Sequence, residues 1–217
     1  FVTEPVDWAR ELNTPIPIIS DQPIFEKSSE VAARLGLPKS EPFICLHVRE
    51  GGYYRWTEGP GKVVRNANIA NYFESIANLA QRGYWVIRIG DKTMTPLPKM
   101  PQVIDYALSD LKTPELDIYL IAHCEFYIGH NSGPWDVANL FGKPVMMPNM
   151  TDFFLGYPFK SNDMGIFKKI YSQTNSRPLT LEEMINVYLD PINSIFSNSD
   201  LRFIENNSEE ILELLDE

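Results

Sequence analysis

The sequence predicts an α/β fold built on an open, doubly wound parallel sheet. Short apolar runs without polar alternation recur along the chain, and segments with apolar residues at helical spacing separate them. A strand that helices cover on both faces is apolar throughout, as in parallel sheets. Strands that alternate with helices in this way are joined by right-handed crossovers and point in the same direction.

Five apolar runs are the predicted strands. They span residues 43–49, 84–89, 103–106, 126–129 and 144–147. Each is preceded by a segment with the apolar spacing, caps or glycine stops of a helix. These predicted helices start at Asp21 and end before Gly36, and span 69–80, 116–124 and 134–141, with the second ended by Gly83. The third strand is the exception, because only a proline-rich loop precedes it.

The signal for regular structure weakens after residue 150. Thr180-Leu-Glu-Glu183 is a capping box before an apolar helix through Leu189, and 209–215 is a short amphipathic helix.

Residues 1–20 are Pro-rich, and we expect them to form a linker or interdomain segment. Residues 21–217 are expected to form one Rossmann-like domain with its core at 40–150.

The composition limits the classes of partner. The 217 residues carry a formal net charge of -10, with a pI near 4.8. An acidic chain lacks the surplus of Lys and Arg that nucleic acids and anionic membranes require, although a local basic pocket can still hold a small phosphate ligand. No apolar stretch approaches the roughly 20 residues of a membrane span. We expect the protein to be cytoplasmic, either free or at the inner face of the membrane.

The termini and cysteines add two expectations. The first residue is Phe rather than Met, which predicts a fragment or a processed chain. Cys45 and Cys124 lie within apolar runs and are predicted to be reduced core residues, because a disulfide framework needs more cysteines in a shorter chain.

Polar residues follow each of the first four predicted strands, where ligands bind in open α/β sheets. They are His47 and Arg49 after the first, Arg88, Gly90 and Asp91 after the second, Asp105 and Tyr106 after the third, and Gly129, His130, Asn131, Ser132 and Gly133 after the fourth. We predict that they converge on one edge of the sheet.

The last group leads directly into a helix, so its N–H groups and the positive end of the helix dipole could bind a diphosphate. Ser132 would add a hydroxyl, Gly133 would allow close approach, and Pro134 suits the first helical position. An equally open interpretation is a self-capped helix with nothing bound, because Asp136 could satisfy the first turn.

His47 and Arg49 are two residues apart and share one strand face. They could face an anionic ligand, or Arg49 could form a structural ion pair with one of the many acids. The loop that follows is mixed basic and aromatic, which indicates either a local basic patch or a solvated loop. Its residues of these types are Tyr53, Tyr54, Arg55, Trp56, Lys62 and Arg65.

Several catalytic signatures are absent from the sequence. It has no G-x-G-x-x-G, no complete P-loop, no nucleophile elbow, no D-x-D pair and no zinc-ligand spacing. No His–Asp partner of Ser132 is evident, so we do not predict that this serine is a nucleophile. We expect no metal and no cofactor.

The ordered set of segments resembles GT-B glycosyltransferases. The segment from Asp117 to Gly133, followed by Val137-Ala-Asn-Leu-Phe-Gly-Lys-Pro-Val145, is similar to their donor-site segment as heptosyltransferases and the fucosyltransferase superfamily carry it. Leu46-His-Val-Arg49 resembles the His-x-Arg motif of fucosyltransferases. With 64–69, 83–90 and 104–106, the chain is similar to a bacterial family of glycosyltransferases over residues 40–150.

This resemblance implies the C-terminal, donor-binding half of a metal-independent, inverting enzyme of polysaccharide biosynthesis, with a glycan acceptor and a missing N-terminal acceptor domain. Arg49 would hold the diphosphate of a nucleotide sugar and neutralise the leaving group, with His47 beside it. The remaining implied donor contacts are Arg65, Arg88, Gly90, Asp91, Asp105, Tyr106, Asp117, Gly129, His130, Asn131, Ser132 and Gly133. Alternatives are a nucleotide-sugar epimerase of the same architecture and a non-catalytic nucleotide-binding module.

Overall fold

The computed structural model describes residues 22–53, 59, 63–151, 160–189 and 198–217. The predicted linker over 1–20 lies outside the described residues, as do Tyr54, Arg55, Trp56 and Lys62 of the predicted basic loop.

Six strands form one parallel sheet. They are β1 (Phe43–His47), β2 (Trp85–Arg88), β3 (Val103–Ile104), β4 (Tyr127–Gly129), β5 (Val145–Met150) and β6 (Met164–Phe167). The order is β3-β2-β1-β4-β5-β6, and every neighbouring pair is parallel. This is the doubly wound order, in which the winding reverses between β1 and β4. The predicted α/β, Rossmann-like fold is confirmed.

In the described residues, six α-helices accompany the strands. They are α1 (Gln22–Arg34), α2 (Phe73–Gln81, after a 3₁₀ turn at Ile69–Tyr72), α3 (Pro114–His123), α4 (Gly133–Leu140), α5 (Leu181–Leu189) and α6 (Ser208–Asp216). Residues of α1, α3 and α4 pack with one face of the parallel sheet, and residues of α2 and α6 pack with the other. Because both faces are covered, β1 is buried at all five positions, which explains why its sequence does not alternate.

The helix boundaries follow the local signals. Gly36 and Gly83 both adopt a φ of +92°, the left-handed conformation that ends a helix after its last turn. Thr180 and Glu183 form the predicted capping box, since Thr180 N–H donates to Glu183 Oε2 at 2.8 Å and Glu183 N–H donates to Thr180 Oγ1 at 3.3 Å.

The second half contains strands that the sequence did not predict. Besides β6, the strands β7 (Lys169–Ser172), β8 (Arg177–Pro178) and β9 (Leu201–Ile204) form a separate antiparallel sheet in the order β8-β7-β9. The predicted third strand also ends earlier, at Ile104, because Asp105 begins a 3₁₀ turn.

The cysteine prediction is confirmed, as Cys45 and Cys124 are both free and buried. Among the described helices, none is both long enough and apolar enough to cross a bilayer.

Candidate functional site

The carboxyl ends of β1 and β4 lie side by side, with His47 in register with Gly129. The segments that follow them, His47–Arg49 and 130–133, therefore leave the sheet next to each other. A pocket of about 550 Å³ opens at this edge. The residues that line it are His47, Arg49, Glu50, Tyr53, Arg65, Ile89, Gly90, Asp91, Met94, Lys112, Asp117, Ile121, Ser132, Gly133 and Pro134.

A larger groove, of about 650 Å³, lies between β6 and α6. None of the predicted site residues lines it. The site is therefore located by the switch in strand order and by the chemistry of the lining residues, rather than by cavity size.

Arg49 is held at the wall of the pocket. Only 8% of its surface is exposed, and its Nη1 donates a hydrogen bond to Asn66 Oδ1. Its carbonyl oxygen accepts from the Ala67 N–H at 2.9 Å. Asn66 is itself anchored, because Lys168 Nζ donates to its carbonyl oxygen at 2.6 Å. The amide of Asn66 thus helps to orient the guanidinium.

His47 and Ser132 are in direct contact, with 3.1 Å between His47 Nδ1 and Ser132 Oγ. Burial lowers the pKa of His47 to about 4; Asp91 opposes this shift, while Arg88, Arg49 and other cations reinforce it. His47 is therefore neutral at pH 7. The sequence did not reveal this Ser–His pair, because its members are 85 residues apart.

No side-chain hydrogen bond from Ser132 caps the start of α4. Ser132 occupies the capping position with extended backbone, but its hydroxyl makes no capping hydrogen bond and faces His47 instead. Within the described residues, no hydrogen bond joins the exposed Asp136 to the first turn. Gly133 is exposed, and a Cβ added there would have no atom within 4 Å. Asp136 does lie in the first turn, where its charge can interact with the helix dipole, so both interpretations of this turn stay open. Gly133 and Pro134 place the helix start at the pocket.

Two of the predicted site glycines have packing reasons for their identity. Gly90 has a φ of +152°, and a Cβ there would lie 2.1 Å from Met94 Sδ. A Cβ on Gly129 would lie 2.6 Å from the hydroxyl oxygen of Tyr127. Of these two, only Gly90 lines the pocket.

His130 lies beneath the turn, not in the pocket lining. Its Nε2 is 2.6 Å from the Tyr72 hydroxyl, which accepts from Asn149 Nδ2 at 2.9 Å. Its Nδ1 lies 3.1 Å from the Arg65 carbonyl oxygen and 3.3 Å from the Arg49 backbone nitrogen. The Arg65 carbonyl can only accept and the Arg49 N–H can only donate, so Nδ1 forms one of these two hydrogen bonds according to the tautomer of the ring. Burial is the main reason that the pKa of His130 falls to about 3.

The C-terminal part of the chain completes this network. Asn149 N–H donates to Asn206 Oδ1 at 2.6 Å, and Asn206 N–H donates to Asn149 Oδ1 at 2.8 Å. This reciprocal pair is buried and fixes Asn149, which has a φ of +59°. This support could not be predicted from the sequence, because neither asparagine lies in a recognisable motif.

Besides Gly129, His130 and Asn131, three more of the predicted substrate contacts do not line the pocket. Arg88 is fully buried, with Nη2 2.7 Å from Glu50 Oε1 and Nη1 3.0 Å from Asp105 Oδ1. The Tyr106 hydroxyl exchanges hydrogen bonds of 3.1 Å with the backbone N–H and carbonyl of Thr113. The structure thus gives Arg88, Asp105 and Tyr106 internal partners behind the pocket.

Further charged residues line the same pocket. Asp117, in the first turn of α3, lies 2.5 Å from Lys112 Nζ, and both line the pocket. Asp91 also lines it and accepts from the Thr93 N–H at 2.8 Å. Sequence reasoning missed Lys112, and its only signal was a cation shortly before the acidic first turn of a predicted helix.

Arg65 reaches the pocket from the loop after β1. Its Nη1 donates to the Asn131 carbonyl oxygen at 3.3 Å, so the loop and the turn are joined. Asn131 bonds to Arg65 through this contact, and His130 belongs to the hydrogen-bond network below the turn. Ser132 and Gly133 line the pocket itself. Across the described ranges, no three His, Cys, Asp or Glu side chains are grouped as metal ligands.

No known family profile matches the chain, and no curated protein matches it in sequence. Solved structures do match. The E. coli ADP-heptose LPS heptosyltransferase II is 16% identical, with a TM-score of 0.50 over 94% of this chain and 55% of that one. A family 9 glycosyl transferase from Veillonella parvula DSM 2008 is 12% identical, with a TM-score of 0.48 over 71% of this chain and 42% of that one.

These two proteins are longer, and the chain spans about half of their length. At such low identity the likeness concerns the fold alone. The chain therefore has the α/β fold found in part of the heptosyltransferase II structure, with its candidate site at the switch between β1 and β4.

Proposed function

We propose that this chain is the donor-binding domain of a GT-B glycosyltransferase and that the pocket at β1 and β4 binds a nucleotide-diphosphate sugar. One observation carries the proposal: Arg49 and the start of α4 line one pocket at the switch point of the sheet. An arginine and a helix N-terminus are the groups that bind phosphate in proteins.

The charges of the pocket support an anionic ligand. Three cations, Arg49, Arg65 and Lys112, line it beside three carboxylates, of which Asp117 pairs with Lys112 and Glu50 pairs with the buried Arg88. Arg49 and Arg65 supply positive charge that can attract a small anion without creating a general affinity for nucleic acids. His47 is neutral and adds no charge to the pocket.

The same groups suit the chemistry of sugar transfer. When the bond between the sugar and the diphosphate breaks, negative charge develops on the leaving diphosphate. Arg49, oriented in advance by Asn66, would stabilise that charge, and the N–H groups at the start of α4 would add to it. We propose that this replaces a divalent cation and that transfer is metal-independent and inverting.

The acceptor side is proposed from the length of the structural neighbours. Heptosyltransferase II is, by its name, an enzyme that uses ADP-heptose and acts on LPS. We propose that an additional domain binds a glycan acceptor and supplies the general base, and that the product belongs to bacterial surface polysaccharide. The donor base and sugar are left open by this proposal.

The alternatives are less well supported. An epimerase needs a carboxylate able to deprotonate a sugar carbon, but Glu50, Asp91 and Asp117 are bonded to Arg88, Thr93 and Lys112 respectively. A non-catalytic module would bind the nucleotide but would turn over no donor, even with the additional domain present.

A thermal-shift and calorimetry panel tests the proposal. GDP-, UDP-, dTDP- and ADP-sugars carry a diphosphate, whereas CMP-sugars carry one phosphate and serve as the contrast. We expect one diphosphate sugar to stabilise the fold by about 2.7 kcal/mol at a hundred times its dissociation constant. The matched nucleoside should give no comparable shift, and an absence of binding by all diphosphate sugars would refute the proposal.

A further inference from the structure

The contacts of Ser132 determine which ring nitrogen of His47 carries the proton. Ser132 Oγ lies 3.1 Å from two atoms at once, His47 Nδ1 and the carbonyl oxygen of His130. A hydroxyl has a single proton to donate, and a carbonyl oxygen can only accept. Both contacts are hydrogen bonds only if Ser132 donates to the His130 carbonyl and accepts from a protonated Nδ1 of His47.

The opposite arrangement loses one bond. If Ser132 donated its proton to His47 Nδ1, its oxygen would face the His130 carbonyl oxygen with no proton between them. A buried acceptor without a donor costs about 1–3 kcal/mol, so the first arrangement is the stable one. Neutral His47 then has its proton on Nδ1 and a lone pair on Nε2.

Nε2 of His47 has no hydrogen-bond partner among the described residues, although His47 is only 7% exposed and lines the pocket. We infer that His47 is a specificity-determining residue whose Nε2 accepts a hydrogen bond from a hydroxyl group of the nucleotide sugar. This inference rests on the proposed function. A phosphate oxygen is excluded from this position, because an ionised phosphate can only accept and a bare Nε2 has nothing to donate.

The inference divides the pocket into two parts. The phosphates belong to Arg49 and the start of α4, which offer donors, and a hydroxyl belongs to His47, which offers an acceptor. The hydroxyl comes from the ribose or from the transferred sugar. These two sources share their chemistry and are separated by comparing a nucleoside diphosphate with its sugar conjugate.

The tautomer is measured first, on the free protein. Long-range ¹H–¹⁵N spectra of histidine-labelled protein at pH 7 should show the His47 proton on Nδ1, with signals assigned through His47→Phe and His123→Gln. In Ser132→Ala the preference should weaken, and in Ser132→Thr it should return. A proton on Nε2 of His47 in the wild type would overturn the inference, whether or not any nucleotide binds.

Calorimetry then tests the ligand contact. We expect His47→Phe to lower the affinity for the nucleotide sugar by about tenfold and to change the affinity for inorganic pyrophosphate by less than about twofold. A similar loss for the nucleoside diphosphate assigns the hydroxyl to ribose, and a loss for the conjugate alone assigns it to the sugar. Equal losses for pyrophosphate and nucleotide sugar would contradict the inference, whereas wild-type protein that binds no nucleotide would instead contradict the proposed function.

Discussion

Glu50 pairs with Arg88 and not with Arg49, its neighbour in the chain. Its Oε1 lies 2.7 Å from Arg88 Nη2, and its Oε2 accepts from the Thr95 N–H at 2.9 Å. The acid that follows the His-x-Arg segment is therefore used to hold the loop after β2. The Glu50 carboxylate thus pairs with the buried Arg88 behind the pocket. Arg49 instead donates a hydrogen bond to Asn66.

Arg49→Ala should abolish diphosphate binding and transfer while the protein still folds. The guanidinium lies at the pocket wall, and removal of a charged transition-state contact costs on the order of 3 kcal/mol, or about 100-fold in rate. Calorimetry with the diphosphate and the unfolding midpoint measure the two effects. Arg82→Ala, at the far end of α2 in an exposed pair with Asp216, is the matched control. Unchanged affinity in a stable Arg49→Ala protein would remove this residue from the site.

Gly133→Val should block the diphosphate without unfolding the helix. A Cβ at this position meets no atom within 4 Å, so the added side chain occupies the space in front of the helix start. We expect the affinity for the diphosphate to fall by about tenfold or more, equivalent to about 1.4 kcal/mol, with the free nucleoside little affected. Gly133→Ala should give an intermediate loss. Equal diphosphate affinity in all three proteins would show that the phosphates lie elsewhere.

Arg88→Met should act on stability. The side chain is fully buried between Glu50 and Asp105, and its removal leaves two carboxylates without their cation. Breaking a buried pair in this way costs about 3–5 kcal/mol, measurable by urea unfolding. The control is Lys92→Met, which removes an exposed partner of Asp110 and should leave the midpoint almost unchanged. Similar midpoints for the two variants would contradict a structural role for Arg88.

Acid should destabilise the protein through two histidines. The pKa of His47 is lowered to about 4 and that of His130 to about 3, so between these values and about 6.5 the unfolded state binds more protons than the folded state. Stability therefore falls as pH drops from about 6.5 toward 4, by up to about 1.4 kcal/mol per pH unit for each histidine. Urea unfolding from pH 7 to 4 measures the slope. In His130→Gln the slope should be shallower, and an unchanged slope would place the titration elsewhere.

Transfer should continue in excess EDTA. Arg49 and the start of α4 offer the positive charge that a divalent cation would otherwise supply at the diphosphate. The assay compares turnover with EDTA alone and with EDTA followed by added Mn²⁺. Activity that disappears with EDTA and returns with Mn²⁺ would disprove metal independence.

The strands and helices around the switch point could be predicted from sequence, because their signals are local. The apolar run at 43–49 and the glycine stops at Gly36 and Gly83 each depend on neighbouring residues alone. β6 and the antiparallel sheet could not be predicted in this way. Their strands are two to four residues long, and several of their side chains are half-exposed, so no clear period appears.

The convergence of these residues on one pocket could be predicted from sequence, but the contacts that they make could not. Parallel strands deliver His47, Arg49 and the 129–133 turn to one edge, and this follows from topology alone. The hydrogen-bond partner of each side chain does not follow from topology. Whether Arg88 faces a ligand or Glu50, and whether Ser132 caps a helix or contacts His47, depends on side-chain geometry across 38 and 85 residues of chain.

The pairing of Asn149 with Asn206 has a consequence for the order of events on the ribosome. The two residues are 57 positions apart, and Lys168, which anchors Asn66, also follows β5. A nascent chain that has emerged through residue 150 already holds the first five strands, but it lacks the groups that fix Asn149 and the loop carrying Arg65. Because a domain folds as a unit, the pocket is completed only after these later segments have been synthesised. A chain truncated before residue 206, which also lacks α6 and its contacts with the sheet, should therefore have an unfinished binding site.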